Sequence, residues 1–292
     1  MPILRFHKLF WLARRIRIFV DLDAGITRSE VWDPQQHRIE KQARQLEQMR
    51  KKLSEKDWQV ALWEAGKISE VEWWREWLAA KGQTWRPGEY ASALDPQQPL
   101  QDYVIECLDA PPGAAVSILD VGAGPLTKLG KRWEGRTVRI TAVDPLAAEY
   151  RRLLDEFGIT PLVQTQPGEV ERLADFFPAN HFDLVYMQNA LDHSYDPLLG
   201  IRQMLEVVKP GGYVLLHHFL DEAENASYDG LHQWNFRAED DHFMLWNCQK
   251  RLSINDALGD VAQVTVSQSE ADAEERGVIK GEVITRIRKN TE

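Results

Sequence analysis

The segment ILDVGAGP at residues 118–125 constrains the fold of this chain more than any other. Residues 116–121 read as a buried strand that breaks into a glycine turn and opens a helix. Pro125 suits the first turn of that helix, where a missing N–H costs little. Gly122 and Gly124 permit backbone angles and a close approach that a side chain would forbid. Such a turn lets a nucleotide-like molecule lie directly on the backbone. Asp120 sits near the strand's end.

From residue 116 onward the pattern alternates. Strands are predicted at 116–121, 138–143, 160–164, 182–187 and 211–218. Helices are predicted at 126–133, 146–157, 168–175 and 197–208. VAQVTVSQ (261–268) and VIKGEVITRIR (278–288) read as a closing antiparallel pair. Alternation of this kind gives a parallel, doubly wound sheet, whose ligands bind beyond the carboxyl ends of its strands. Four of those ends are marked. The first carries the glycine turn. The second carries Asp144, in AVDP, a carboxylate able to accept two hydrogen bonds from a ribose diol. The third carries Glu169 and Glu171, in PGEVERL, and the fourth carries MQNALDH. A nicotinamide fingerprint would need a third glycine where Thr127 stands, and no P-loop pattern occurs.

The 292 residues allow one or two domains. The net charge of −10 argues against general nucleic-acid binding. Cys107 and Cys248 form no disulfide framework and no CxxC metal site. A reducing, cytoplasmic setting is the simplest reading.

Three N-terminal stretches differ from this core. Residues 1–20 hold Arg5, Lys8, Arg14, Arg15 and Arg17 and no acid. At helical spacing Phe6, Leu9, Ala13, Ile16 and Val20 share a charge-free arc. That suits a helix on an anionic membrane surface, or one docked on protein. Residues 35–57 are highly charged, with Ile39, Leu46 and Leu53 spaced by seven, and read as a solvated helix. Residues 58–85 hold six of the eleven tryptophans. Ser69 and Glu72 have capping-box spacing before WWREWL, and Trp73, Trp74, Trp77 and Leu78 share a face. This reads as a packed lid or dimer face. Residues 87–99 read as a loop and 100–109 as a helix. The resulting division is a basic segment 1–30, a helical tryptophan-rich region 31–110, and a core domain 111–292 with an insertion at about 219–247.

Over about residues 115–220 the chain resembles class I S-adenosylmethionine-dependent methyltransferases of the type-11 kind. ILDVGAGP, AVDP, GEVERL, FDLVYMQNALDH and LEVVKPGGYVLL stand in the family's order. The resemblance implies a Rossmann-like, doubly wound, seven-stranded and mostly parallel α/β sheet, with S-adenosylmethionine as cofactor and S-adenosylhomocysteine as product. It implies that Asp120, Gly122 and Gly124 border the amino-acid part of the cofactor and that Asp144 holds the ribose. It also puts Glu169 and the Val170 backbone at the adenine, and Gln188 and Asn189 near the reacting methyl. Leu126 departs from the family's common third glycine.

Methyl transfer needs alignment and dryness, and a hydroxyl acceptor also benefits from a base. His193 in LDHSYD and His218 at the end of the fifth strand are the catalytic candidates. His217 and His218 alternate, so one of the two reaches the pocket. His217, Glu222, Asn225, His232 and Trp234, in the polar and aromatic stretch 217–236, are the acceptor candidates. The His and Glu of this stretch could also hold a divalent metal, but their spacing is not diagnostic and no metal ligand is assigned. GEYASALDPQQPLQDYV, NALDHSYDP and EAEN…GLHQWNF look similar to methyltransferases of bacterial surface-polysaccharide biosynthesis. That similarity implies O-methylation of a sugar on a glycan or lipid-linked glycan, met at the inner membrane face through residues 1–20. The alternatives are methylation of a quinone or natural-product phenol, and a non-catalytic assembly protein. A homodimer through the N-terminal helices is a further expectation.

Overall fold

A computed structural model describes residues 54–269, 274–275, 278–279 and 281–291. The expectations for residues 1–30 and 35–53 lie outside the described residues.

The sheet follows from the hydrophobic strand runs. Strands β1 (Ala115–Val121), β2 (Thr137–Asp144), β3 (Thr165–Pro167), β4 (Phe182–Gln188) and β5 (Val208–Phe219) are joined by parallel pairings. Two later strands, β9 (Ala262–Ser269) and β12 (Glu282–Lys289), add antiparallel, and the order is β3-β2-β1-β4-β5-β12-β9. This is the expected seven-stranded, Rossmann-like sheet. Central β1 is buried from Ile118 to Val121, as a strand covered on both faces must be. Parallel register brings the carboxyl ends of β1, β2 and β4 to one edge.

Helices cover both faces. Helix α1 (Glu55–Ala79) is capped by Ser54, whose hydroxyl accepts from Asp57 N–H at 3.2 Å. Its Trp74, Trp77 and Leu78 pack with Tyr150, Leu153 and Leu154 of α4 (Ala147–Phe157). Between them in sequence lie α2 (Pro87–Leu94) and α3 (Asp102–Ile105). On the other face α5 (Leu173–Phe176) and α6 (Pro197–Val207) cover the sheet. Beyond β5, the insertion forms α7 (Glu222–Asn225) and an antiparallel sheet of β6 (Asn235–Glu239), β7 (His242–Trp246) and β8 (Arg251–Ser253), followed by α8 (Ile254–Leu258). Short strands β10 (Glu274–Glu275) and β11 (Val278–Ile279) pair with each other.

Several local expectations are corrected. Ser69 starts no helix. It lies inside α1, and its hydroxyl donates to the Gly66 carbonyl at 2.8 Å. Residues 87–94, read as a loop, form α2 with Pro87 in its first turn. Residues 126–133 form no helix, because their backbone pairs with the 98–100 segment instead. Leu100 N–H donates to Arg132 O at 2.7 Å and Lys131 N–H to Gln98 O at 2.8 Å. Gly130 lies so close that a Cβ there would stand 1.9 Å from the Pro99 carbonyl oxygen. The third strand sits at 165–167 rather than 160–164, and 170–176 is one turn of 3₁₀ helix followed by α5. No helix of the described residues is long and apolar enough to cross a membrane.

Candidate functional site

Each strand end adds a distinct part to one cavity. At the end of β1 the chain turns through Gly122 (φ +67°) and Gly124 (φ +63°), in the left-handed region that glycine adopts without cost. The turn is packed from both sides. A Cβ on Gly122 would stand 2.4 Å from Ala190 Cβ, and one on Gly124 would stand 2.8 Å from Trp74 Cζ2. Gly122 N–H and Ala123 N–H donate to the Val143 carbonyl at 2.9 and 3.1 Å, which ties the turn to β2.

Asp144, at the end of β2, anchors the same turn. Its Oδ2 accepts from Gly124 N–H at 3.1 Å and its Oδ1 from Leu146 N–H at 2.8 Å. Two oxygens with two acceptor sites each leave room for a diol. Asp120 accepts from the Thr127 hydroxyl at 2.5 Å, so Thr127 braces the turn in place of a glycine. Burial pushes the Asp120 and Asp144 carboxyls up to about 7, against the hydrogen bonds that favour their charged forms.

Glu169 and Val170 follow β3 on the cavity wall. Glu171 turns inward, where Oε1 accepts from Tyr195 N–H (2.8 Å) and Asp196 N–H (3.1 Å). It therefore positions the loop after β4. Gln188 and Asn189 also line the cavity. Asn189 holds φ +47°, and its Oδ1 accepts from Phe219 N–H at 3.1 Å, joining the ends of β4 and β5.

The loop after β4 carries Asp192 and His193, and the insertion brings His232 to them. His232 Nδ1 lies 2.7 Å from Asp192 Oδ2 and 3.2 Å from His193 Nε2, and His193 Nε2 is 3.5 Å from Asp192 Oδ2. Burial pushes the Asp192 carboxyl up, but the two imidazoles outweigh it and hold the group well below the usual carboxylate range. The carboxylate in turn raises His232 against its burial. The cluster is a place for positive charge.

The alternation at the end of β5 separates the two histidines. His218 lines the cavity, and both of its ring nitrogens lack a partner among the described residues. Burial lowers it to about 3, so it is a neutral imidazole. His217 faces away. Its Nε2 lies 3.0 Å from Glu282 Oε2, and its ring meets Tyr103, so the acceptor role read for it is corrected. Trp234 is corrected as well. It is fully buried in the core cluster, with its indole N–H donating to Ser194 O at 2.9 Å. Glu222, Asn225 and His232 do reach the cavity.

The cavity measures about 590 Å3. Trp63, Trp73, Trp74 and Trp85 line it too, Trp74 against the glycine turn. Sequence reasoning gave these tryptophans to a lid and assigned no role to Asp192, although it stands beside His193 in LDHSYD. No local pattern shows that α1, which carries Trp63, Trp73 and Trp74, and the turn holding Trp85 fold over the strand ends.

Residues 119–216 match the family model described as a methyltransferase domain. The central domain has the methyltransferase fold. The ubiquinone/menaquinone biosynthesis C-methyltransferase UbiE of Shewanella halifaxensis is 34% identical over 120 residues, which are 40% of this chain and 47% of that protein. The protein of the same name from Pseudomonas aeruginosa (strain LESB58) is 32% identical over 125 residues, 41% and 48% respectively. The match thus spans about half the length of these curated relatives. Among solved structures, a SAM-dependent methyltransferase from Methanosarcina mazei is 18% identical with a TM-score of 0.42, covering 66% of this chain and 100% of its own. S-adenosylmethionine fits the methyltransferase domain's edge. The glycine cradle excludes any Cβ, Asp144 offers a diol acceptor, and the volume suits a ligand of this size.

Proposed function

We propose that this chain is an S-adenosylmethionine-dependent methyltransferase whose acceptor is a small hydroxylated molecule with a planar apolar body. One observation carries the reading: a single cavity joins the glycine turn and Asp144, four tryptophans, and the Asp192–His193–His232 cluster. The quinone C-methyltransferase name of the relatives supports a planar acceptor. A sugar hydroxyl of a bacterial glycan is the second reading, favoured by Glu222, Asn225 and Asp229, which also line the cavity.

Gly122 and Gly124 would admit the methionine portion against backbone, and Asp144 would hold the ribose hydroxyls. Glu169 and Val170 would edge the adenine. Bound there, S-adenosylmethionine supplies an electrophilic methyl on a sulfonium. The tryptophan wall holds the acceptor's flat face and excludes water, which is most of what an in-line displacement requires. His193, backed by Asp192 and His232, receives the acceptor's hydroxyl proton. Neutral His218, too weak a base for that task, packs into the cavity wall with both ring nitrogens buried. Deprotonating a ring hydroxyl serves transfer to that oxygen directly and transfer to the adjacent ring carbon by resonance.

The test is calorimetry with S-adenosylhomocysteine, then acceptor screening with a labelled methyl donor against quinols, phenols and glycans. Asp144→Ala should weaken binding about ten- to a hundredfold, since hydrogen bonds to a charged group contribute about 1.5–3 kcal/mol. Absence of binding by the wild type refutes the enzyme reading. Affinity within about twofold in Asp144→Ala refutes the ribose role, because that difference is far below one such bond.

A further inference from the structure

Besides hydrogen-bonding one another, Asp192, His193 and His232 bring three possible metal-ligand atoms together. Three ligand atoms, one carboxylate oxygen and two imidazole nitrogens, converge on one point from two chain segments. Their separations are 2.7, 3.2 and 3.5 Å. A triangle with those edges has a circumradius of about 1.8 Å, so a point about 2.1 Å from all three atoms lies about 1 Å off its plane; 2.0–2.2 Å is the metal–ligand distance for imidazole and carboxylate.

We propose that Asp192 Oδ2, His193 Nε2 and His232 Nδ1 form a binding site for a divalent first-row transition cation. Two imidazoles and one carboxylate on one side of an ion, with the other side open, form a donor set that suits zinc, iron, cobalt or manganese. All three residues line the cavity, so the open positions face the acceptor. The site is held before any ion arrives. Gln233 N–H donates to Asp192 O at 3.0 Å and the Trp234 indole to Ser194 O at 2.9 Å. These bonds fasten the residues after His232 to the residues around His193. His218 lines the same cavity, with both ring nitrogens buried and unpartnered among the described residues.

An ion displaces the proton that His232 Nδ1 shares with Asp192 Oδ2, and that proton goes to solvent as the ion binds. With the ion bound, an acceptor oxygen coordinates it and its proton leaves to water through the cavity mouth. His193 then serves as a ligand rather than a base. This use rests on the methyltransferase reading, whereas binding of the ion does not.

The experiment takes the full chain stripped with a chelator and titrates it with zinc by calorimetry, then with cobalt by visible absorption. The wild type should take up one equivalent that Asp192→Asn and His232→Gln each weaken at least tenfold. Cys248→Ser, at an exposed thiol, should leave that equivalent unchanged. The cobalt complex should show ligand-field bands that vanish in His193→Gln. Thermal melts of the three ligand variants confirm that they fold, and S-adenosylhomocysteine binding is measured on each. No zinc uptake by wild type, or uptake unchanged in folded ligand variants, overturns the site. Zinc uptake without S-adenosylhomocysteine binding upholds the site and overturns only the methyltransferase reading.

Discussion

At the residue scale the glycine turn does its work by exclusion. A Cβ on Gly124 would meet the rigid edge of Trp74 at 2.8 Å, and φ +63° already costs an L-residue about 1–2 kcal/mol. Gly124→Ala should therefore move the turn off the cavity edge and lower S-adenosylhomocysteine affinity more than tenfold. Gly113 also holds a positive φ of +86°, but a Cβ there meets nothing within 4 Å. Gly113→Ala should pay the backbone strain alone and bind like the wild type. Equal affinities in both variants would show that the turn does not contact the ligand. This part of the site was legible in the sequence because a strand, a glycine turn and a carboxylate at the next strand end are local patterns. The sequence marks His232 as an acceptor candidate, but nothing local in it shows its meeting with Asp192 and His193. It lies 40 residues from Asp192 along the chain and arrives through the insertion.

At the scale of elements, α1 joins the tryptophan region to the core. Trp77 is 2% exposed, meets Trp74 and Tyr90 edge to face, and donates its indole N–H to Trp85 O at 2.9 Å. Trp77→Ala should lower stability by about 3–5 kcal/mol in urea unfolding, the usual cost of removing a large buried aromatic. Trp73, 38% exposed on the cavity wall, should cost clearly less when changed to alanine. Comparable losses would mean that the helix is not packed as described. The sequence pattern gave these residues one shared face, yet their exposures differ. The difference arises because α1 lies along α4 on one side and over the cavity on another. The misread segments share a cause. Residues 126–133 carry helix-compatible residues, but tertiary hydrogen bonds to 98–100 outweigh local preference. Ser69 has the spacing of a cap, but α1 already has one at Ser54, about four turns upstream.

At the scale of the whole molecule, three buried carboxyls gather along one cavity edge and give the protein a pH signature. Asp120, Asp144 and Glu171 are each pushed up to about 7, chiefly by burial. Below about pH 4 each is protonated whether folded or unfolded, so none affects stability. Between about pH 4 and 7 the unfolded chain releases these protons while the folded protein holds them. Stability then falls as pH rises, by at most about 1.4 kcal/mol per unit for each group. His218, lowered to about 3, acts in the opposite sense below its ordinary value near 6.5, because acid charges it only in the unfolded chain. Glu282, held down at about 2 by His217, is ionised in both states above about pH 5.5 and adds no slope there. Asp144 can be isolated from this balance by difference. Asp144→Asn changes the hydrogen bonds to Gly124 and Leu146 by an amount that does not depend on pH, so only the change with pH reports ionisation. In the ligand-free protein, the variant should gain on the order of 2 kcal/mol relative to wild type between pH 5 and 7.5, measured by urea unfolding. A difference constant across that range would mean that Asp144 is ionised throughout. If the difference moves as expected, Asp144 in its proposed ribose role must lose a proton to bind a diol fully charged. S-adenosylhomocysteine should then bind the wild type more tightly at pH 8 than at pH 6, with proton release visible in buffers of unequal ionisation enthalpy.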